Sequence, residues 1–308
     1  MSAHGSEARS PASRGVRRSI HPDTRVGAVR LEVADLERMQ NFYERAIGLT
    51  TVELSTEVAR LGVGGAPLGA PLVELVHNPV AAPRPREATG LYHLAILVPS
   101  RVELARAVRR VAGAGWSFSG ASDHLVSEAL YLDDPEGNGI EIYRDRRRDE
   151  WGYANGELRM SSLPLDLEGV LAELDGGVSD ALAMATGTTM GHVHLQVADL
   201  ERAEDFYHGT LGLDVTVRSY PGALFLSAGG YHHHIGLNTW AGRGAPAPPP
   251  GARGLRWFEI LVPTRDEYDR VGRALGDRGA EPRRQGDGLL VSDPSGNGLL
   301  LRARQADR

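Results

Sequence analysis

The chain repeats itself, and the repeat limits what it can fold into more than any other feature. Leu31-Glu-Val-Ala-Asp-Leu-Glu-Arg, followed by Phe42-Tyr43 and Gly48-Leu49, returns as Leu195-Gln-Val-Ala-Asp-Leu-Glu-Arg, followed by Phe206-Tyr207 and Gly212-Leu213. Gly90-Leu-Tyr-His-Leu-Ala-Ile-Leu-Val-Pro returns as Gly254-Leu-Arg-Trp-Phe-Glu-Ile-Leu-Val-Pro. Both pairs lie 164 positions apart, the mark of one duplicated unit. Asp134-Pro-Glu-Gly-Asn-Gly and Asp293-Pro-Ser-Gly-Asn-Gly close the two copies.

Each copy divides again, giving four modules over residues 23–80, 88–146, 188–241 and 252–304. A module opens on an apolar or alternating run that reads as a strand. In the first, apolar residues at helical spacing follow an Asp35 cap. Shorter strands come next, and the Asp-Pro-x-Gly-Asn-Gly turns lead into the last of them, with Pro presetting φ and Gly accepting positive φ. The expected architecture is α+β, with strand, helix and three strands repeated four times. Residues 1–22 read as a disordered tail. Residues 147–187 read as a linker holding one short helix near Leu165–Leu174, and Ala245-Pro-Ala-Pro-Pro-Pro-Gly as a stiff connector.

Composition narrows the chemistry. The 308-residue chain has no cysteine, so disulfides and thiolate metal sites are excluded and His, Asp and Glu are the available ligands. A net charge of −6 without a dense basic patch argues against nucleic acid as a partner. No apolar run is long enough to span a bilayer, and the first residues lack the core of a secretion signal. A cytoplasmic enzyme with small-molecule partners is expected, and a homo-oligomer is compatible with this reading.

Aligning the opening strands on their final valine places Ala28, His93, His192 and Trp257 at one position, and aligning the closing strands matches Glu141 with Leu300. A lone strand histidine is ordinarily a packed or solvated group. Glu141 is harder to dismiss, because it faces away from Ile140 and Ile142 and a buried carboxylate needs a cation or a hydrogen-bond network. Two imidazoles and one carboxylate form a facial ligand set for non-haem Fe(II) with sites left open. If the modules paired in sequence order, the trio would be split. Pairing the second with the third, and the first with the fourth, brings His93, Glu141 and His192 into one barrel, so two open β-barrels with that interleaved pairing are expected.

The four modules, the Asp-Leu…Phe-Tyr…Gly-Leu helix and the ending Asp134-Pro-Glu-Gly-Asn-Gly-Ile-Glu-Ile-Tyr resemble the vicinal-oxygen-chelate superfamily of glyoxalases, bleomycin-resistance proteins and extradiol dioxygenases. The stretch from Asp123-His-Leu-Val through Tyr131 to Glu141 resembles the catechol 2,3-dioxygenases of the CatE type. The resemblance implies an extradiol dioxygenase that opens a catechol with O2 at Fe(II), with Mn(II) as the alternative ion. It implies metal ligation by Glu141, contact with substrate or product by His124, and a hydrogen bond from Tyr131 to a substrate oxygen. In Tyr231-His-His-His-Ile-Gly-Leu-Asn-Thr-Trp, His233 aligns with the acid–base histidine, with His232 and His234 as alternatives. His194, His232, His234 and Asn238 are then candidate substrate-binding residues. The departure is in module order, since typical extradiol enzymes take all their ligands from the last two modules. Two other readings remain open: a glyoxalase-like isomerase, for which Gly236 stands where a second glutamate could fall, and a drug-sequestering protein, poorly suited by 6% aromatic residues. His77 and His208 receive no role.

Overall fold

The computed structural model describes residues 18–64, 71–175 and 182–304. The four quarters share one order of elements. The first runs through strand Arg25–Val33, helix Leu36–Phe42 with a wider turn Tyr43–Ile47, and strands Thr50–Leu54, Val58–Gly62 and Val73–His77. The second has strand Gly90–Leu97, helix Arg101–Gly113 and strands Gly120–Asp123, Ser127–Asp133 and Gly139–Asp145. The third has strand Thr189–Gln196, helical turns Leu200–Glu204 and Asp205–Thr210, and strands Asp214–Val217, Ala223–Ser227 and Ile235–Asn238. The fourth has strand Gly254–Val262, helix Arg265–Asp277 and strands Arg283–Gln285, Gly288–Ser292 and Gly298–Ala303.

Local chemistry accounts for these elements. The side chains of Asp35 and Asp199 accept the amides of Arg38 and Arg202, which caps the first-turn donors of both repeat helices. The first helical stretch ends at Gly48 with φ of 87°, a left-handed conformation that glycine adopts without steric cost. Along the opening strands the residues alternate: Val29, Leu31 and Val33, or Leu94 and Ile96, are fully buried in one continuous apolar core.

Two mixed sheets result. One orders Arg283–Gln285, Gly288–Ser292, Gly298–Ala303, Gly254–Val262, Arg25–Val33, Val73–His77, Val58–Gly62 and Thr50–Leu54. The other has nine strands and joins the second and third quarters through the antiparallel pair Gly90–Leu97 and Thr189–Gln196. Its ninth strand is Leu163–Pro164, which pairs with Gly120–Asp123. The 147–187 segment therefore does more than connect. It adds that edge strand, a small hairpin of Tyr153–Ala154 with Glu157–Leu158, and helix Leu167–Ala172 inside the expected helical stretch. Of the segment read as a tail, residues 1–17 lie outside the described part; Ile20 is buried and its amide donates to the Gly212 carbonyl. No described helix is long and apolar enough to cross a membrane.

The two most conspicuous repeated motifs turn out to touch each other. Tyr43 Oη donates to Asp134 Oδ2 at 3.2 Å, and Tyr207 Oη donates to Asp293 Oδ2 at 3.0 Å. Each Phe-Tyr helix is thereby fastened to the Asp-Pro turn of the following quarter, across the boundary between the sheets. The aspartates also accept the amides of Glu136 and Asn138, or of Ser295 and Asn297. Gly137 and Gly296 supply φ of 86° and 87° in these turns. A Cβ on Gly139 would lie 2.1 Å from the Tyr92 carbonyl oxygen, so the turn can enter its strand only as glycine.

Burial raises the Asp134 carboxyl to about 6, against the pull of the Asn138 and Glu136 donors. A carboxyl raised above its unfolded value near ~3.9 stabilises the fold fully below that value, and the contribution is lost as pH rises through about 6. The stability of wild type relative to Asp134→Asn is therefore expected to fall by about 1 kcal/mol between pH 5 and pH 8. Paired urea titrations at the two pH values measure it; an unchanged or rising difference contradicts the assignment.

Candidate active site

The register of three neighbouring strands builds the site. His192 pairs opposite Ala95 on one side, and Glu141 pairs beside Ala95 on the other. His194 lies opposite His93. Ladder neighbours are ~4.8 Å apart, so His192 and Glu141 stand two strands from each other and meet above the Ala95 methyl. The strand slips register between Met190 and His192, a bulge of the kind that re-aims a side chain. Gly191 occupies it, and a Cβ there would fall 1.8 Å from Tyr143 Oη. Ala95 is fully buried and packs with Ala129 and Tyr143, so a larger side chain there would push into the point where the two ligands meet. Ala95→Leu is expected to lower the retained metal at least ~10-fold, at the scale of losses from disturbed ligand orientation, with a stability cost of about 1–3 kcal/mol. Elemental analysis beside a urea titration reads both; full occupancy in a folded variant would show that the three strands do not set the ligand spacing.

The three side chains converge as the sequence alignment anticipates. Ligand atoms of His93, Glu141 and His192 all lie within 4.8 Å of one another, and all three residues are buried. His93 Nε2 is 3.0 Å and His192 Nε2 is 3.2 Å from Glu141 Oε2. His93 Nε2 lacks hydrogen-bond alignment and has no other partner. Metal–donor bonds of ~2.1 Å at right angles would place neighbouring donors ~3.0 Å apart, so the residues present fit a divalent ion. The protonation states fit as well. Burial opposes charge on Glu141, yet His192 and His93 beside it hold its carboxyl well below the usual range. Burial lowers His192 to about 4, so at neutral pH it is the uncharged imidazole that a metal requires.

Two of the trio, His93 and Glu141, line a cavity of about 250 Å³ together with His124, Tyr131, His194 and His233. Tyr92 and Trp240, 41% and 46% exposed, mark its mouth. His124 Nδ1 is 2.6 Å from the Ser161 carbonyl, and its Nε2 is 2.6 Å from Tyr131 Oη. A carbonyl only accepts, so Nδ1 carries the proton and Tyr131 donates to Nε2. Burial, then the Glu141 charge, raises the Tyr131 hydroxyl well above its ordinary value. Burial keeps His194 and His233 well below the ordinary imidazole value, and hence neutral.

Three of the residues expected near substrate lie elsewhere. His232 is fully buried behind His233. His234 lines a different cavity between the sheets, and its Nδ1 accepts the Ala228 amide. Asn238 is fully buried and accepts the Trp240 amide. His77 bonds to the Thr56 carbonyl and His208 to that of Leu213, both remote from the site.

Residues 25–142 and 189–301 match the sequence profile of the Glyoxalase/Bleomycin resistance protein/Dioxygenase superfamily. The chain belongs to this superfamily. It is 42% identical over 280 residues to the catechol-2,3-dioxygenase of Bacillus subtilis (strain 168), covering 90% of this chain and 96% of that protein. Among solved structures, a Bacillus subtilis protein superposes with a TM-score of 0.66 at 14% identity, covering 94% of this chain and 87% of that one. Glyoxalase I from Zea mays superposes with a TM-score of 0.54 at 18% identity, covering 91% and 92%. These two likenesses bear on the fold alone.

As a member of this superfamily the chain carries the site in one sheet and has closed the equivalent point of the other. There Ala28, Trp257 and Leu300 pack as an apolar cluster. Glu74, at the Glu141 position of the first quarter, is held by Arg30 at 3.0 Å and Arg60 at 3.4 Å. In the third quarter that position is Gly236, where a Cβ would lie 2.9 Å from the His194 ring; a second carboxylate therefore has no room. Sequence reasoning missed Ala95, Asp145 and the wall formed by Met160, Ser161 and Ser162. Asp145 was within reach, because strand alternation puts it on the Glu141 face.

Proposed function

We propose that the protein is an extradiol dioxygenase that opens the ring of a catechol with O2, using a divalent iron held by His93, His192 and Glu141. The observation that carries this reading is the convergence of those three buried side chains, two of which, His93 and Glu141, line a small cavity, together with the relative named above. Bound Fe(II), or Mn(II) in its place, supplies electronic coupling between the diol and O2 and lowers the pKa of the first hydroxyl. We further infer that each sheet curls into an open barrel, the first and fourth modules in one and the second and third in the other.

The chain's own residues do the rest. His233, neutral and facing the cavity, takes and returns the catechol proton, a role worth ~10²–10⁴ in rate. Tyr131, oriented by His124, hydrogen-bonds a substrate oxygen. His194 packs edge-on to His93 with ring centroids 5.0 Å apart and forms a wall for the ring. The lining holds one carboxylate, Glu141, and neither arginine nor lysine, while Met160, Tyr220, Phe225 and Trp240 add apolar surface to it. A carboxylate on the ring would find neither an arginine nor a lysine in this lining to pair with. An uncharged, single-ring catechol is the expected substrate, with kcat/KM for 3,4-dihydroxybenzoate at least ~10-fold below that for 4-methylcatechol. Equal values would contradict the expected preference. The deciding experiment loads anaerobically purified protein with Fe(II), adds catechol and O2, and watches for a yellow ring-opened semialdehyde. No colour from catechol or its alkyl derivatives would overturn the dioxygenase reading.

A further inference from the structure

His232 and Asp145 form a hydrogen-bonded support behind His233. Asp145 ends the strand that carries Glu141 and Tyr143, and alternation sets all three on one face. Its Oδ1 lies 2.9 Å from His232 Nε2. His232 Nδ1 lies 2.8 Å from His233 Nδ1. The Tyr231 hydroxyl also donates to Asp145 Oδ1 at 3.1 Å, and Tyr143 Oη stands 2.7 Å from Tyr231 Oη. Trp151 packs against both Tyr231 and His232, with ring centroids 6.1 and 5.5 Å away.

Donor and acceptor roles follow from one end of this row. A carboxylate only accepts, so His232 Nε2 carries a proton. A neutral imidazole has a single N–H, so His232 Nδ1 is an acceptor. The proton between the two rings therefore belongs to His233 Nδ1. His233 is left with its lone pair on Nε2, the nitrogen not engaged by His232, on the ring that lines the cavity. We propose that Asp145, acting through His232, is a positioning residue that fixes His233 as the Nδ1–H tautomer with an Nε2 base presented to substrate. The chemistry is that of a carboxylate that orients a catalytic imidazole from behind, extended here by one intervening ring. The proposal rests on the acid–base role given to His233 above.

The test reads the tautomers directly. Long-range 1H–15N correlation spectra of zinc-loaded protein labelled at histidine should show His232 as the Nε2–H form and His233 as the Nδ1–H form. In Asp145→Ala both rings should become tautomer mixtures. Iron-loaded Asp145→Ala should lose ~10²–10⁴ in kcat, with KM for catechol within about threefold and iron content retained, and Asp145→Glu should recover most of the loss. His233 as the Nε2–H form in wild type overturns the proposal, whether or not the variant folds. So does wild-type kcat in Asp145→Ala. A wild-type enzyme that cleaves no catechol yet shows the expected tautomers would overturn the catalytic reading while supporting the hydrogen-bond assignment.

Discussion

Glu141→Ala is expected to lose essentially all bound iron and, with it, at least ~10⁴-fold in ring-cleavage rate. The residue supplies the only carboxylate of the buried ligand group. Removing it leaves two imidazoles and no anionic ligand for a divalent ion. The truncation also costs stability, up to about 3–5 kcal/mol, because it removes the shared partner of two buried imidazoles. Leu300→Ala is the matched control. It sits at the equivalent position of the other sheet, fully buried in the cluster with Ala28 and Trp257, and should cost about 2–5 kcal/mol of stability while leaving iron content unchanged. Iron analysis and a urea titration on both variants separate the two losses. Equal iron retention would show that repeat position does not distinguish ligand from core.

The second large effect concerns the proton rather than the metal. His233→Gln is expected to keep its iron and lower kcat by ~10²–10⁴, with a small change in KM. His233 packs against His192 with ring centroids 4.1 Å apart and against Phe225 at 4.9 Å, so glutamine preserves bulk while removing the ring nitrogen that takes and returns the proton. Anaerobic catechol binding should persist, which separates a chemical defect from a binding defect. Should kcat stay within threefold of wild type, the base lies elsewhere in the cavity.

Much of this is legible in the sequence. The repeat spacing, the Asp-capped helices and the Asp-Pro turns gave the order of elements. The strand positions of His93, His192 and Glu141 gave the ligand group, because alternation assigns a face without reference to tertiary structure. What the chain of letters hides is depth and neighbourhood. In sequence His233 aligns best and His232 and His234 stay as alternatives; folding separates them, for His233 lines the cavity, His232 bonds to it from behind and His234 lines a different cavity. Ala95 carries no chemistry of its own and matters only because two ligands meet above it. Met160, Ser161 and Ser162 belong to a stretch that reads as linker, and only folding brings the Ser161 carbonyl to His124. The reason Phe-Tyr and Asp-Pro recur together is likewise spatial: Tyr43 and Tyr207 bond the aspartates of turns 91 and 86 residues away.

The most direct test of the metal site is anomalous diffraction at the iron edge from crystals grown anaerobically with Fe(II). One peak is expected per chain, bonded to His93 Nε2, His192 Nε2 and a Glu141 oxygen. A peak at another cluster of side chains, or none at that position in iron-replete crystals, would contradict the account.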